Sequence, residues 1–98
     1  MGRTSRLLYL PKRIGEKLLS IRRSLNKTQA QMLEALNEHG EFSTLTQNVI
    51  SDYEKNRREP PPLVLYAYGK IANVYIDVLV DDEIELPNKI PATRKGKF

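Results

Sequence analysis

The residues best equipped for intermolecular chemistry fall in the run T-Q-N-V-I-S-D-Y-E-K-N-R-R, from Thr46 to Arg58. Gln47 and Asn48 each carry a carboxamide, which offers a donor and an acceptor side by side. That pair matches an adenine edge, where a ring nitrogen accepts and an exocyclic amino group donates. Lys55, Arg57 and Arg58 follow closely, and such cations hold phosphate oxygens. Amides that read an edge beside cations that hold a backbone are suited to duplex DNA. Taken alone, Gln and Asn on a helix are ordinary surface, so the case rests on what positions them.

Local signals place them on a short helix over about 46–56. The Thr46 hydroxyl can accept from backbone N–H groups of the first turn. Val49, Ile50 and Tyr53 then fall at i, i+1 and i+4 and face inward. Asn56 stands where a left-handed residue ends a helix, a conformation Asn tolerates better than most.

The flanking chain reads as four more helices. Pro11 suits a first helical position. Ile14, Leu18, Ile21 and Leu25 form one stripe of a helix over about 11–25, with Lys12, Arg13, Lys17, Arg22 and Arg23 on a solvated outer face. Asn26-Lys27 makes a turn. Thr28 caps the second helix with Gln31 as capping-box partner, Ala30, Met32, Leu33 and Leu36 supply its buried side, and Gly40 ends it. Phe42 and Leu45 dip back to the core from the polar connection 37–45. The run R-R-E-P-P-P stops any helix and stiffens the approach to the fourth. That helix, about Leu63 to Asn73, has an inner face of Val64, Leu65, Tyr68, Ile71 and Ala72. A fifth covers about Ile76 to Val80. The segment D-D-E-I-E-L-P and the tail after it read as extended or loose, with Ile84 and Leu86 permitting a short strand. The organisation expected is all-α: a basic arm at 1–10, one five-helix domain at 11–81 and a tail at 82–98.

Composition narrows the function. The chain has 98 residues, 40% of them hydrophobic, which bounds it to one domain with a modest core. There is no cysteine, so disulfides, thiolate metal sites and thiol nucleophiles are excluded. His39 is the single histidine and has no companion ligands, and the carboxylates form no convincing catalytic pair with it. Gly69-Lys70 lacks the rest of a phosphate loop. Neither an enzyme nor a cofactor is expected. No apolar run approaches the roughly 18 residues that cross a membrane, and the start has too short an apolar part for a signal peptide, so a cytoplasmic protein is expected. The net charge is +4, distributed in blocks: +7 over 1–27, −5 over 28–54, +3 over 55–58, −5 over 77–85 and +4 over 86–98. The basic blocks favour a polyanionic partner, and the acidic block over 28–54 runs against it. Thr28-Gln29 and Thr46-Gln47 would start two helices alike, each N-terminus offering free N–H donors to phosphate.

The words T-Q-A-Q-M-L, T-Q-N-V-I-S-D-Y-E-K-N-R-R-E-P and Y-G-K-I-A-N-V-Y-I-D-V-L, in this order, resemble the Cro/phage-repressor-type helix-turn-helix family, the Xre-like regulators. The resemblance covers about residues 13–81. It implies a lambda-repressor-like domain whose third helix enters the major groove, with Gln47, Asn48, Ser51 and Asp52 at base edges. Asp52 would accept from a cytosine amino group. Gln29, Thr44, Thr46, Lys55, Asn56, Arg57 and Arg58 would touch the backbone, and Gln29 would brace Gln47. Arg22 and Glu54 would form an ion pair between the first and third helices. The sequence departs from the family in a longer connection between the second and third helices, and in Asn56 where a glycine is usual. The third helix has no Arg, so guanine reading is not expected from it and phosphate contacts must carry affinity.

The expectation is therefore a sequence-specific regulator of transcription, a repressor-like homodimer on a palindromic operator. The fifth helix and the tail, with Ile84 and Leu86, are the expected dimer contact. One rival is the antitoxin of a toxin–antitoxin pair, with the tail binding a protein partner. Another is a protein-interaction module that uses the acidic 28–54 face.

Overall fold

The computed structural model describes residues 12–87. The arm at 1–10, Pro11 and tail residues 88–98 lie outside the described residues. The described chain forms five helices and no strand: α1 Ile14–Ser24, α2 Gln29–Asn37, α3 Gln47–Glu54, α4 Pro62–Ala72 and α5 Ile76–Val80. α3 packs on both α1 and α2, α4 packs on α2 and α5, and α5 returns to α1. The core is built from Leu18 and Ile21 of α1, Met32 and Leu36 of α2, Ile50 and Tyr53 of α3, Val64, Tyr68 and Ala72 of α4, and Leu79 of α5. Each large apolar side chain buried this way contributes roughly 1.5–3 kcal/mol. Leu45 is buried and Phe42 half-buried, so the long connection is pinned from below.

Helix starts follow the local chemistry. Thr28 Oγ1 accepts from Gln31 N–H at 3.1 Å while Gln31 Oε1 accepts from Thr28 N–H at 2.8 Å, a complete capping box. Thr46 Oγ1 accepts from Val49 N–H at 3.2 Å. Pro62 is the first residue of α4 rather than a stop before it, because a first-turn N–H has no partner to lose.

Three of the five helix ends share one device. Asn26, Asn56 and Asn73 have φ of 56°, 59° and 63°, following α1, α3 and α4. The next N–H in each case reaches back to close the last turn: Lys27 to Arg22 O at 3.1 Å, Arg57 to Asp52 O at 2.8 Å and Val74 to Gly69 O at 2.9 Å. These are Schellman closures made with asparagine.

Several expectations are corrected. α2 stops at Asn37, short of Gly40, because Asn37 Oδ1 takes Phe42 N–H at 3.1 Å and turns the chain. Gly40 instead makes room for the Phe42 ring, 2.8 Å from where a Cβ would sit. Ala30 is exposed, and α2 buries Met32 and Leu36. Lys17 is not on a solvated face. It is 1% exposed, and Nζ donates to Val78 O, Asp81 O and Ile84 O at 2.6, 2.8 and 2.7 Å. The carbonyls at the end of α5 have no helical partners, and three ammonium protons meet three acceptors there. Burial pushes the Lys17 pKa down, with Arg13 nearby adding to the effect. The carbonyl cage opposes both by bonding the charged form.

Nor is the start of the tail loose. Asp82 accepts from the N–H groups of Lys12 and Arg13 at 2.9 and 3.0 Å, which holds those residues in a bend and delays α1 to Ile14. Arg13 grips both oxygens of Glu85 at 2.9 and 2.8 Å. Leu86 packs against the protein's own core, which leaves Ile84 as the exposed apolar residue of that segment.

Candidate nucleic-acid interface

The two ends of α3 are built differently. At the N-terminal end Thr46 fixes the first turn, and Gln47 and Asn48 stand exposed with no hydrogen bond to any described residue. Thr44 is exposed in the preceding turn, which Leu45 N–H closes onto Phe42 O at 3.0 Å. Ser51 and Asp52, one turn on, are half-buried.

The C-terminal end is tied down by hydrogen bonds to α1, α2 and the residues just before α1. Arg22 Nε donates to Glu54 Oε2 at 2.7 Å and its Nη2 to Glu54 Oε1 at 3.1 Å. The third guanidinium nitrogen reaches Lys27 O at 3.0 Å. This pair is largely buried, with side-chain exposures of 16% and 6%, and the Glu54 hydrogen bond raises the Arg22 pKa. Tyr68 lies fully buried among the same groups, its hydroxyl without a hydrogen-bond partner, and burial pushes its pKa up.

Gln29 belongs to this junction and not to a bracing pair with Gln47. Its Nε2 donates to Glu54 Oε1 at 3.1 Å. A carboxylate that already holds a guanidinium has a lone pair left for the amide. The α2 N-terminus can still present main-chain N–H groups, but the Gln29 side chain is engaged inside.

Asn56 likewise has bonds inside the fold. Its Oδ1 accepts from Gly15 N–H at 3.0 Å and its Nδ2 donates to Lys12 O at 3.1 Å. Both polar atoms of the side chain join α3 to the start of α1, which leaves one Nδ2 N–H of this exposed residue for any further contact. Gly15 makes the approach possible. A Cβ there would stand 2.7 Å from Asn56 Oδ1 and 2.8 Å from the carbonyl oxygens of Tyr53 and Glu54. Sequence reasoning passed over this residue. The available signal was a glycine inside a helical pattern, which costs about 1 kcal/mol against alanine and often marks a close approach.

Lys55, Arg57 and Arg58 are exposed behind this locked end. Arg58 Nε lies 3.7 Å from Asp52 Oδ2, a surface pair worth roughly 0–1 kcal/mol, so Asp52 is shared with Arg58 rather than fully presented. An open cleft of about 490 Å³ lies between the start of α1 and the end of α3, lined by Lys12, Asn56, Arg57 and Arg58 among others. Lys12 is a cation of this rim that the sequence placed only on an outer face.

The arrangement can present two amides at one helix tip and a set of cations around the other end. Among the described residues no group of His, Cys, Asp or Glu could hold a metal ion, and no helix is long and apolar enough to cross a membrane. No protein-family model, curated protein or solved structure matches this chain.

Proposed function

We propose that this protein is a sequence-specific double-stranded DNA-binding regulator of the helix-turn-helix kind, with α3 in the major groove and no catalytic activity. The observation that carries the reading is the contrast along α3: amides free at its tip, and its other end fixed by Arg22, Gly15 and Asn56. A base reader needs both, since a free edge is useful only when its helix is held at one angle. Eight helical residues span about 12 Å, close to the width of the groove. Gln47 and Asn48 then face base edges, with Ser51 and Asp52 beside them. Thr44, Thr46, Lys55, Arg57 and Arg58 hold the flanking phosphates. A two-fold copy of the protein on a palindromic site doubles this small contact.

Selection from a random duplex pool tests it, run with the wild type and with Gln47→Ala combined with Asn48→Ala. The wild type should enrich a palindrome and the double variant should lose or relax it. Each bidentate pair is worth about 1–3 kcal/mol of discrimination. Failure of the wild type to recover any common sequence would sink the proposal.

The protein-interaction rival loses ground on a specific observation. Of the acids in 28–54, Glu54 is bound to Arg22 and Asp52 lies beside Arg58, which leaves Glu34, Glu38 and Glu41 as the exposed acidic face. The antitoxin rival needs a tail available to a partner; of the described part of the tail, Asp82, Glu85 and Leu86 contact their own domain.

A further inference from the structure

Lys12 sits on a ridge between two clefts of opposite character. On one side are Arg57 and Arg58 of the phosphate-holding set proposed above, with Asn56 and Glu59 beside them. On the other are Asp81, Asp82 and Glu83, lining an open cleft of about 720 Å³. The acidic segment is not merely adjacent. Its Asp82 carboxylate holds the main chain of Lys12 and Arg13, its Asp82 carbonyl accepts from Arg13 Nη1 at 2.8 Å, and its Glu85 takes the Arg13 guanidinium through both oxygens. Glu16 occupies the remaining side of that guanidinium, with Nε 3.0 Å from Oε2. Arg13 is thus saturated with carboxylates although its side chain is 30% exposed.

A guanidinium held by two carboxylate oxygens has the geometry it would use on a phosphate. Glu85 is itself 73% exposed and contributes nothing to the core. A mainly exposed pair adds little stability, but it occupies the guanidinium next in sequence to Lys12, which lines the rim. Meanwhile Lys17 fixes the path of the segment from beneath, through Asp81 O and Ile84 O. The strap is therefore anchored independently of Glu85, and Glu85 can let go of Arg13 without unfolding anything.

We infer that residues 81–85 form an acidic strap that competes with DNA phosphate for Arg13 at the edge of the Lys12–Arg57–Arg58 rim, holding the protein's affinity for DNA below what its cations would give. The inference rests on the DNA-binding reading, but concerns the backbone and not the bases. On a phosphate-rich surface Arg13 exchanges Glu85 for a phosphate oxygen, and Glu85 moves into solvent.

The test uses the full chain and a duplex of arbitrary sequence, so that phosphate contact is measured apart from base reading. Binding is titrated across salt for the wild type, Glu85→Gln, Arg13→Gln and the double variant, with thermal unfolding checked for each. Glu85→Gln should bind several-fold tighter at low salt. The slope of log affinity against log salt should steepen by about 0.9, the signature of one added phosphate contact. In the Arg13→Gln background the same change should add no contact to the slope. A Glu85→Gln protein with the wild-type affinity and slope overturns the strap while leaving base reading intact if the wild type still selects a palindrome. A steeper slope for Glu85→Gln with no palindrome selected supports the strap and removes the specific-regulator reading. Absence of duplex binding by every variant removes both.

Discussion

The two ends of α3 teach opposite lessons about polar residues. At the start, Gln47 and Asn48 have no partner among the described residues, so nothing in the fold requires an amide there. At the end, Asn56 is an amide too, and each of its polar atoms is bonded to α1. The same functional group is presentation at one end and framework at the other. Partners decide which, and partners are a tertiary fact.

That contrast can be broken by substitution. The largest effect is expected from Glu54→Ala. It leaves the Arg22 guanidinium with Lys27 O but no carboxylate, and the Gln29 amide without its acceptor, at a buried junction, and stability should fall by roughly 3–5 kcal/mol. Thermal unfolding reads this directly, and a loss below about 1 kcal/mol would mean the junction is not what fixes α3. Gly15→Ala comes next, at about 1–3 kcal/mol, because backbone atoms of α3 must retreat from the new methyl. On the proposed DNA-binding reading, affinity for a duplex should fall with it although Gly15 is buried, and unchanged affinity would separate the angle of α3 from recognition. Asn56→Gly removes two hydrogen bonds while easing a left-handed backbone, for a net loss near 1 kcal/mol. Asn73→Gly eases the same conformation at a residue whose side chain makes no hydrogen bond, and its stability should stay level or rise by tenths of a kcal/mol. Equal behaviour of the two glycine variants in chemical denaturation would show that the Asn56 side chain is not framework. The smallest effect on the fold is expected from Gln47→Ala with Asn48→Ala, within about 0.5 kcal/mol of wild type. An appreciable stability loss there would mean the tip of α3 is not free.

Much of this was legible in the sequence because it is local. Thr28 with Gln31, Thr46 with Val49, and the asparagine at the end of α3 act within a few residues of where they stand. The apolar stripes of α1, α3 and α4 are set by spacing alone, and the limits of α5 were read as they stand. What could not be read lies across the chain. Lys17 looks like any outer-face lysine until α5 brings its final carbonyls over α1. Gly15 is unremarkable until α3 arrives at van der Waals distance. Glu85 and Asp82 read as a loose acidic tail because their partner, Arg13, lies about 70 residues earlier. In the candidate site the residue types were legible and their allocation was not. Gln29 and Asn56 have the chemistry of phosphate contacts, and the fold also gives each a bond inside the protein. Ending α2 at Gly40 failed for a related reason: Asn37 closes the turn with a side chain, and the glycine serves an aromatic ring.

The Lys17 cage also sets an order of events during synthesis. Its acceptors lie 61 to 67 residues downstream, so α1 leaves the ribosome with a charged group that no part of the nascent chain can yet receive. Chain elongation runs at about 5–20 residues per second, which puts several seconds between the appearance of the lysine and that of Ile84. Until then α1 and α3 can meet, but the face of α1 that turns toward α5 must remain wet. The Lys17 cage therefore cannot close until residues 78–84 have been made.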